Sequence, residues 1–408
     1  MLSKAKKGAC LFLASLVLII TICSQSAYAY WLNGYHISSP LYFVPHSGYG
    51  ETSKQHFNDA MYIWNYWSGH DLMHRLTTTH SSTNFPSNDG NNYIYRVNVG
   101  LGYIGLTHYY PTGSIMTSAD INLNMFYPWA NSQQPGCYDV WTVFLHEAGH
   151  AAGLGHSLYQ NAVMYPIIPI NTEKRDLAQD DKLGIQACYS NVNSNGINTS
   201  NNDRETDIMS GVLEQYNLTD LINTSTLIVK AKLTSASDAF QIIPVFGCSP
   251  SNFTDYNFKV SEVVFGNATK DDMIVVRMQG GLAGGTDLIV EDNPQFTENE
   301  EVLLFLYQPK MGSGYNTKGD YYYILGLGQG AYYQDSRNNS YFDMYGNKLS
   351  YDYLVNAVGK RDVNSIDEEH FLKQFVANTY ANLKSGFITE NEYLSLLSEA
   401  SQYATIVK

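Results

Sequence analysis

The residues whose spacing carries the most chemistry lie in the run His146-Glu147-Ala148-Gly149-His150-Ala151-Ala152-Gly153-Leu154-Gly155-His156. His146 and His150 stand four apart, so on a helix their imidazoles leave from one face and can grip a single ion. Gly153 follows three residues after His150, where a glycine takes the positive φ that ends a helix and turns the chain back. That turn brings His156 round as a third nitrogen ligand and leaves the fourth tetrahedral position for water. Glu147 sits beside the first ligand, its carboxylate within reach of such a water without being a ligand itself. Three neutral imidazoles around Zn2+ leave a dication that lowers the pKa of bound water to about 7 and keeps a neighbouring carboxylate ionised. Two histidines four apart arise by chance on ordinary helices; the added glycine and third histidine make the pattern specific for one catalytic zinc.

Several elements must hold these groups. Asp139 is a good N-cap for a helix carrying Val140, Trp141, Phe144, Leu145, Ala148, Ala151 and Ala152 and stopping at Gly153. An earlier helix, capped by Thr52 or Ser53, carries Phe57, Ala60, Met61, Trp64 and Trp67 on one stripe, which reads as core rather than binding surface. Between the two helices, Tyr93–Val99 and Ala119–Phe126 read as strands. The order of helix, strands, helix, loop and helix predicts an α+β domain. The strand over 119–126 is expected to offer its edge, at Asp120, Asn122 and Asn124, to an extended substrate through main-chain pairing.

Eight residues beyond His156 comes Met164, in Asn161-Ala162-Val163-Met164-Tyr165-Pro166. The run HEAGHAAGLGH with a following Met resembles the metzincin metallopeptidases, in which a Met-containing turn forms an apolar floor under the zinc ligands. The spacing, the AVMYP sequence and the later helix start Leu177-Ala178-Gln179-Asp180-Asp181 most resemble the matrixins, in their short microbial form. Astacin-like and serralysin-like enzymes place a Tyr two residues after the Met, where this chain has Pro166. The resemblance covers residues 30–189 and implies a twisted mixed sheet with three helices. It also implies His146, His150 and His156 as zinc ligands, Glu147 as general base and then general acid, and Met164 as packing under the site. The implied activity is hydrolysis of internal bonds in a protein or peptide substrate.

The chain departs from the family at several places. Ile167-Ile168 stand where matrixins commonly have x-Tyr in the wall of the specificity pocket, so pocket shape does not carry over. The stretch ahead of the active helix has no His and only Asp120, so no second zinc is expected, and calcium has no motif to support it. The latency cysteine of animal matrixins is absent. About 22 residues separate Tyr30 from the first helix, too few for a folded propeptide.

The whole chain has 408 residues, 44% of them hydrophobic, enough for two or three packed domains and incompatible with wholesale disorder. Charged residues are only 15%, and the net charge is −14. A chain this acidic lacks the basic surface that sequence-independent nucleic-acid binding requires. At the N-terminus Lys4, Lys6 and Lys7 precede an apolar run over 10–23 and then Ala27-Tyr28-Ala29, the layout of a signal peptide cleaved after Ala29. That run is too short for a bilayer span. The expectation is a secreted, extracellular protein with no stable membrane anchor after cleavage.

Beyond residue 189 the text changes character. Residues 190–207, crowded with Asn and Ser, read as a linker. Residues 208–360 carry short alternating runs at 227–233, 258–265, 273–278 and 302–307, as in a mainly β domain. Residues 361–408 return to helical spacing. Removal of the signal would leave Cys137, Cys188 and Cys248; Cys137 with Cys188 is the pairing favoured by position, with buried free thiols as the equal alternative. Two functions follow: a secreted zinc endopeptidase, or an extracellular binding or adhesion protein that keeps a metzincin-like fold. The β-rich part, whose role is unknown, would target substrate, cover the cleft or stabilise the peptidase. Oligomeric state is not encoded in any motif.

Overall fold

The computed structural model describes residues 30–190, 205–242, 249–308, 320–335, 340–361 and 370–406. The expected signal peptide, most of the expected linker, and Cys248 lie outside the described residues.

Five strands build the sheet that carries the first part of the chain. They are β1 (Leu41–Pro45), β2 (Met73–Arg75), β3 (Asn92–Tyr95), β4 (Gly105–Thr112) and β5 (Ile115–Leu123), in the spatial order β2-β1-β3-β5-β4. The first four in that order run parallel, and β4 turns back antiparallel to β5. Helices α1 (Glu51–Ser68) and α2 (Val140–Ala151) pack on this sheet, and α3 (Gln179–Tyr189) packs against α1. The arrangement is the mixed sheet with three helices expected for residues 30–189.

The stripe expected on α1 is the buried one, with Phe57, Ala60, Met61 and Trp64 facing the core. Its start differs from expectation. Gly50 is the N-cap, without a side-chain bond, and Ser53 lies inside the helix, donating to Asn131 Oδ1 at 2.8 Å. The hydroxyl found a better-buried acceptor across the interface than the helix end offers. Asp139 does cap α2, accepting from Thr142 N at 3.0 Å.

The sheet does not stop at residue 189. Strand β7 (Glu205–Ser210) pairs antiparallel with β4, and β12 (Thr286–Val290) pairs parallel with β7; with the short strands His36–Ile37 on β5 and Gly281–Ala283 on β12, the same sheet reaches nine strands among the described residues. Residues 205–207, expected within the linker, are therefore strand. Two short segments, β6 (Ile167–Ile168) and β8 (Leu213–Glu214), pair parallel to each other beside the sheet.

The alternating runs expected further on form a second sheet. Its main strands are β9 (Leu227–Ala236), β10 (Ser251–Phe265), β11 (Met273–Gln279), β13 (Glu301–Tyr307) and β14 (Ala331–Asp335), ordered β11-β10-β9-β13-β14 and all antiparallel. One face buries Leu227, Val229, Ala231, Phe258, Val276, Leu304 and Leu306.

After two short helices, α4 (Leu218–Thr224) and α5 (Tyr351–Val358), the last two, α6 (His370–Lys384) and α7 (Glu390–Ile406), lie in the stretch read as helical and pack on each other. They dock, however, on the first core. Phe375, Phe387, Ile388 and Ala400 belong to the apolar cluster that also holds Trp64, Phe144 and Met164. Asn382 clamps the backbone of that core, accepting from Trp129 N at 2.5 Å and donating to Tyr127 O at 2.9 Å. Arg96 donates to Phe387 O at 2.9 Å and to Glu392 at 2.5 Å.

Candidate active site

Helix α2 delivers His146, Glu147 and His150 from one face, all fully buried. The helix ends at Ala152, and Gly153 takes φ 102°. A Cβ there would lie 2.3 Å from Tyr35 O, so glycine is required both for the turn and for the close approach. The turned chain then presents His156. The Nε2 atoms of His150 and His156 lie 3.0 and 3.2 Å from Nε2 of His146.

Each ring is held from behind at Nδ1. His146 faces Val163 O at 2.7 Å, His150 faces Leu154 O at 2.8 Å, and His156 faces Asp292 Oδ1 at 3.0 Å. The two carbonyls fix the proton on Nδ1 of His146 and His150, and the Asp292 carboxylate stands at ion-pair distance behind His156, so the three Nε2 atoms face one another. Burial, and then the neighbouring histidines, hold His146 and His150 well below the usual imidazole value, which keeps them neutral. Three converging lone pairs repel unless a cation sits among them. Tetrahedral zinc with bonds of about 2.0–2.1 Å places its nitrogens about 3.3 Å apart, close to the spacing here. The donor set fits zinc. Among the described residues, this trio is the one group of three or more His, Cys, Asp or Glu able to hold a metal ion.

Glu147 reaches β4. Its Oε2 accepts from Thr107 Oγ1 at 2.7 Å, and its Oε1 accepts from Val212 N at 3.0 Å. Burial pushes the carboxyl up to about 8, with those two hydrogen bonds opposing the rise. A dication in the imidazole cage acts in the direction opposite to burial. Gly105 is what lets the carboxylate lie against β4, because a Cβ there would come within 2.6 Å of Glu147 Oε1 and of Val143 Cγ1.

Met164 is buried with Val163 and packs against α2. A Cβ on Gly149 would meet its Sδ at 2.3 Å, so the second glycine of the helix motif makes room for the methionine. The turn is pinned by Asp181, which accepts from Val163 N at 2.8 Å and Met164 N at 3.0 Å. Ser157, just past the third histidine, donates to Asp180 at 2.7 Å. The two acids that mark the start of α3 thus tie the turn to that helix.

Two expectations about the surroundings need correction. Strand β5 does not present an edge, because it lies between β3 and β4. Asp120, Asn122 and Asn124 are fully buried scaffolding: Asp120 accepts from Ser87 N and Tyr93 N, Asn122 from Val97 N, and Asn124 from Val99 N. Three polar side chains in alternation suggested an edge open to substrate, but they serve backbone N–H groups between residues 87 and 99 that need buried partners. The strand beside the cage is β4. Second, of the two equal readings of the cysteines the free thiols are the one present: Cys137 and Cys188 are unbridged, with Cys188 against Tyr35 O at 3.5 Å.

The remaining neighbours come from beyond residue 189. Asp292 is completely buried, holds His156 and accepts from Tyr103 Oη at 3.1 Å and Gly211 N at 3.3 Å. Ser210 Oγ lies 3.3 Å from His150 Nε2. Burial works against a charge on His156, but the Asp292 and Glu291 carboxylates outweigh it and raise its pKa. Nothing in the local text around Glu291-Asp292-Asn293 marked it as part of a site; only the fold brings it there.

With this geometry in hand, comparisons with known proteins are informative. The family described as Matrixin matches residues 85–190. Metalloendoproteinase 1 of Glycine max is 52% identical over 52 residues, 13% of this chain and 17% of its own length. Metalloendoproteinase 2-MMP of Arabidopsis thaliana is 48% identical over 59 residues, 14% of this chain and 16% of its own. Matrix metalloproteinase-25 of Homo sapiens is 35% identical over 88 residues, 21% and 16% respectively. The chain thus spans about a sixth of the length of these relatives. Matrixins use a catalytic zinc, and the imidazole trio stands where that family motif lies. The stretch of the chain that carries the site is a matrixin-like metzincin unit.

Proposed function

We propose that the protein is a zinc-dependent endopeptidase that hydrolyses internal peptide bonds of protein substrates. The observation that carries this reading is the convergence of three Nδ1-anchored imidazoles beside a buried carboxylate that is not one of them. His146, His150 and His156 would hold the zinc. When bound, it supplies a Lewis acid that polarises the scissile carbonyl and lowers the pKa of water.

Glu147 does the proton work. Its Oε1 takes a proton from the attacking water and gives it to the departing amide nitrogen. Thr107 holds the other carboxylate oxygen, so that Oε1 keeps its aim. The side of β4 away from β5, which residues 208–214 cover in this structure, would align an extended substrate by main-chain pairing once freed, and Met164 packs behind the site without a proton or metal role. The relatives' names support a metalloendopeptidase acting on protein. Residues 1–29 support export, and among the described residues no helix is long and apolar enough to cross a membrane. The alternative of a binding protein with an idle metzincin fold has no need of Glu147 or of Thr107 holding it.

Casein digestion by the zinc-loaded full chain, followed over time with and without a chelator, tests the reading. Glu147→Ala is expected to retain zinc and to lose about 10²- to 10⁴-fold in turnover. Residual cleavage near the wild-type rate would remove Glu147 from the mechanism.

A further inference from the structure

The cleft beside β4 holds a segment of the chain itself. Strand β7 runs antiparallel along β4, with Ile208 opposite Tyr109, Met209 opposite His108 and Ser210 opposite Thr107. The chain continues extended past the imidazoles. Ile104 N donates to Val212 O at 2.8 Å, and Glu214 N donates to Gly102 O at 3.1 Å. On the other side Leu213 N donates to Pro166 O at 2.7 Å, and β8 pairs parallel with β6. Residues 208–214 are thus held by main-chain bonds to β4 and to the turn that follows Met164, with 205–209 paired to β12 on the far side.

The peptide between Gly211 and Val212 sits at the centre of this clamp. Its N–H donates to Glu147 Oε1 at 3.0 Å, and Ser210 Oγ, one residue before Gly211, lies 3.3 Å from His150 Nε2. The chain before the bond therefore lies against the imidazole cage, and the nitrogen lies at the carboxylate that would protonate it on departure. The fit is close. A Cβ on Gly211 would come 2.4 Å from Gly105 O and 3.0 Å from Leu106 Cα. Val212 is fully buried in the cluster that contains Val143, Met164 and Ile168.

Resting on the peptidase reading above, we propose that the chain is its own substrate and that the site cuts the Gly211–Val212 bond. Water adds to the Gly211 carbonyl carbon, the C–N bond breaks, Gly211 is left as a carboxylate, and Val212 N takes the proton through Glu147 as a new α-amine. Water is the sole co-reactant. The docked segment also states the class of external substrate: an extended chain with a residue as small as glycine before the cut and an aliphatic side chain after it. Until the cut is made, residues 205–214 exclude such substrates from β4.

The test uses the full chain, prepared metal-free and then loaded with zinc in the presence of casein. Intact mass and N-terminal sequencing are expected to show one fragment ending at Gly211 and one beginning at Val212. The fraction cut per minute is expected to stay constant over tenfold dilution, Glu147→Ala should remain whole, and Val212→Ala should be cut roughly tenfold more slowly. Docking is read without turnover, by amide hydrogen exchange of the metal-free chain. Leu213 and Glu214 should be protected, and Val212→Arg should expose them. Casein cut while the chain stays whole, a cut at another bond, a rate unchanged in Val212→Ala, or unprotected amides in the metal-free wild type would overturn the proposal and leave the peptidase standing. A whole wild-type chain with idle casein, set against active Val212→Arg, would make the segment an inhibitory strap and overturn self-cleavage. If zinc is bound and neither protein cuts casein, the peptidase reading falls first and takes this one with it.

Discussion

The imidazole cage and the segment lying across it are assembled from different ranges of the chain. The cage is local: His150 is held by Leu154, four residues away, His146 by Val163, and the turn bearing Met164 by Asp181, 17 residues on. The cleft contents are remote: Val212 reaches Glu147 across 65 residues, and Asp292 reaches Gly211 across 81. The first set closes short loops at small entropic cost, and so it can be written as a compact motif. The second depends on a sheet continuing from one part of the chain into another, and no motif records it. His156 is where the two meet, because it is the one ligand whose supporting acceptor comes from the remote set.

That division can be broken or sharpened by experiment. The largest effect is expected from His150→Ala, which removes a ligand from the local set. Metal analysis should find zinc lost, and full occupancy would dismantle the cage as described. Next comes Asp292→Asn, which keeps the shape but takes away the carboxylate behind His156. Zinc affinity should fall about 10- to 100-fold by competition with a chelator. An unchanged affinity would confine zinc binding to the local set.

Asp181→Ala should act on stability more than on metal. It leaves the buried Val163 and Met164 N–H groups without their acceptor, at about 1–3 kcal/mol for each orphaned group. A lowered thermal midpoint with zinc still bound is the expected result; no change would remove Asp181 as the anchor of the turn.

The smallest effect concerns the helical tail. Burial works against ionisation of Glu392, but the Arg96 charge and the bonds from Thr389 outweigh it and hold the carboxyl below its usual value. Its contribution to docking is therefore present above about 4.5 and is lost as pH falls through the lower folded value. Hydrogen exchange in α7 should quicken over that acid range, and Glu392→Gln should remove the dependence.

The sequence by itself determined the cage. Positions 146, 150, 153 and 156 follow from helical geometry and one glycine turn, so the convergence of the three imidazoles was legible without coordinates. The stripe on α1, the cap at Asp139 and the alternating runs that became β9, β10, β11 and β13 were legible for the same reason, since each is a repeat of period 3.6 or 2 or a single capping residue. Tertiary structure decided everything that depends on which strand is an edge. Asp120, Asn122 and Asn124 have the alternation of an edge open to substrate, and only the placement of β5 between two neighbours made them scaffolding. Asp292, Thr107 and the docked residues 210–214 carry no local signal, because a buried acid, a strand threonine and a glycine-valine pair acquire meaning from what lies opposite them. Period and turn chemistry act over a few residues, whereas strand pairing joins positions that only the completed fold brings into contact.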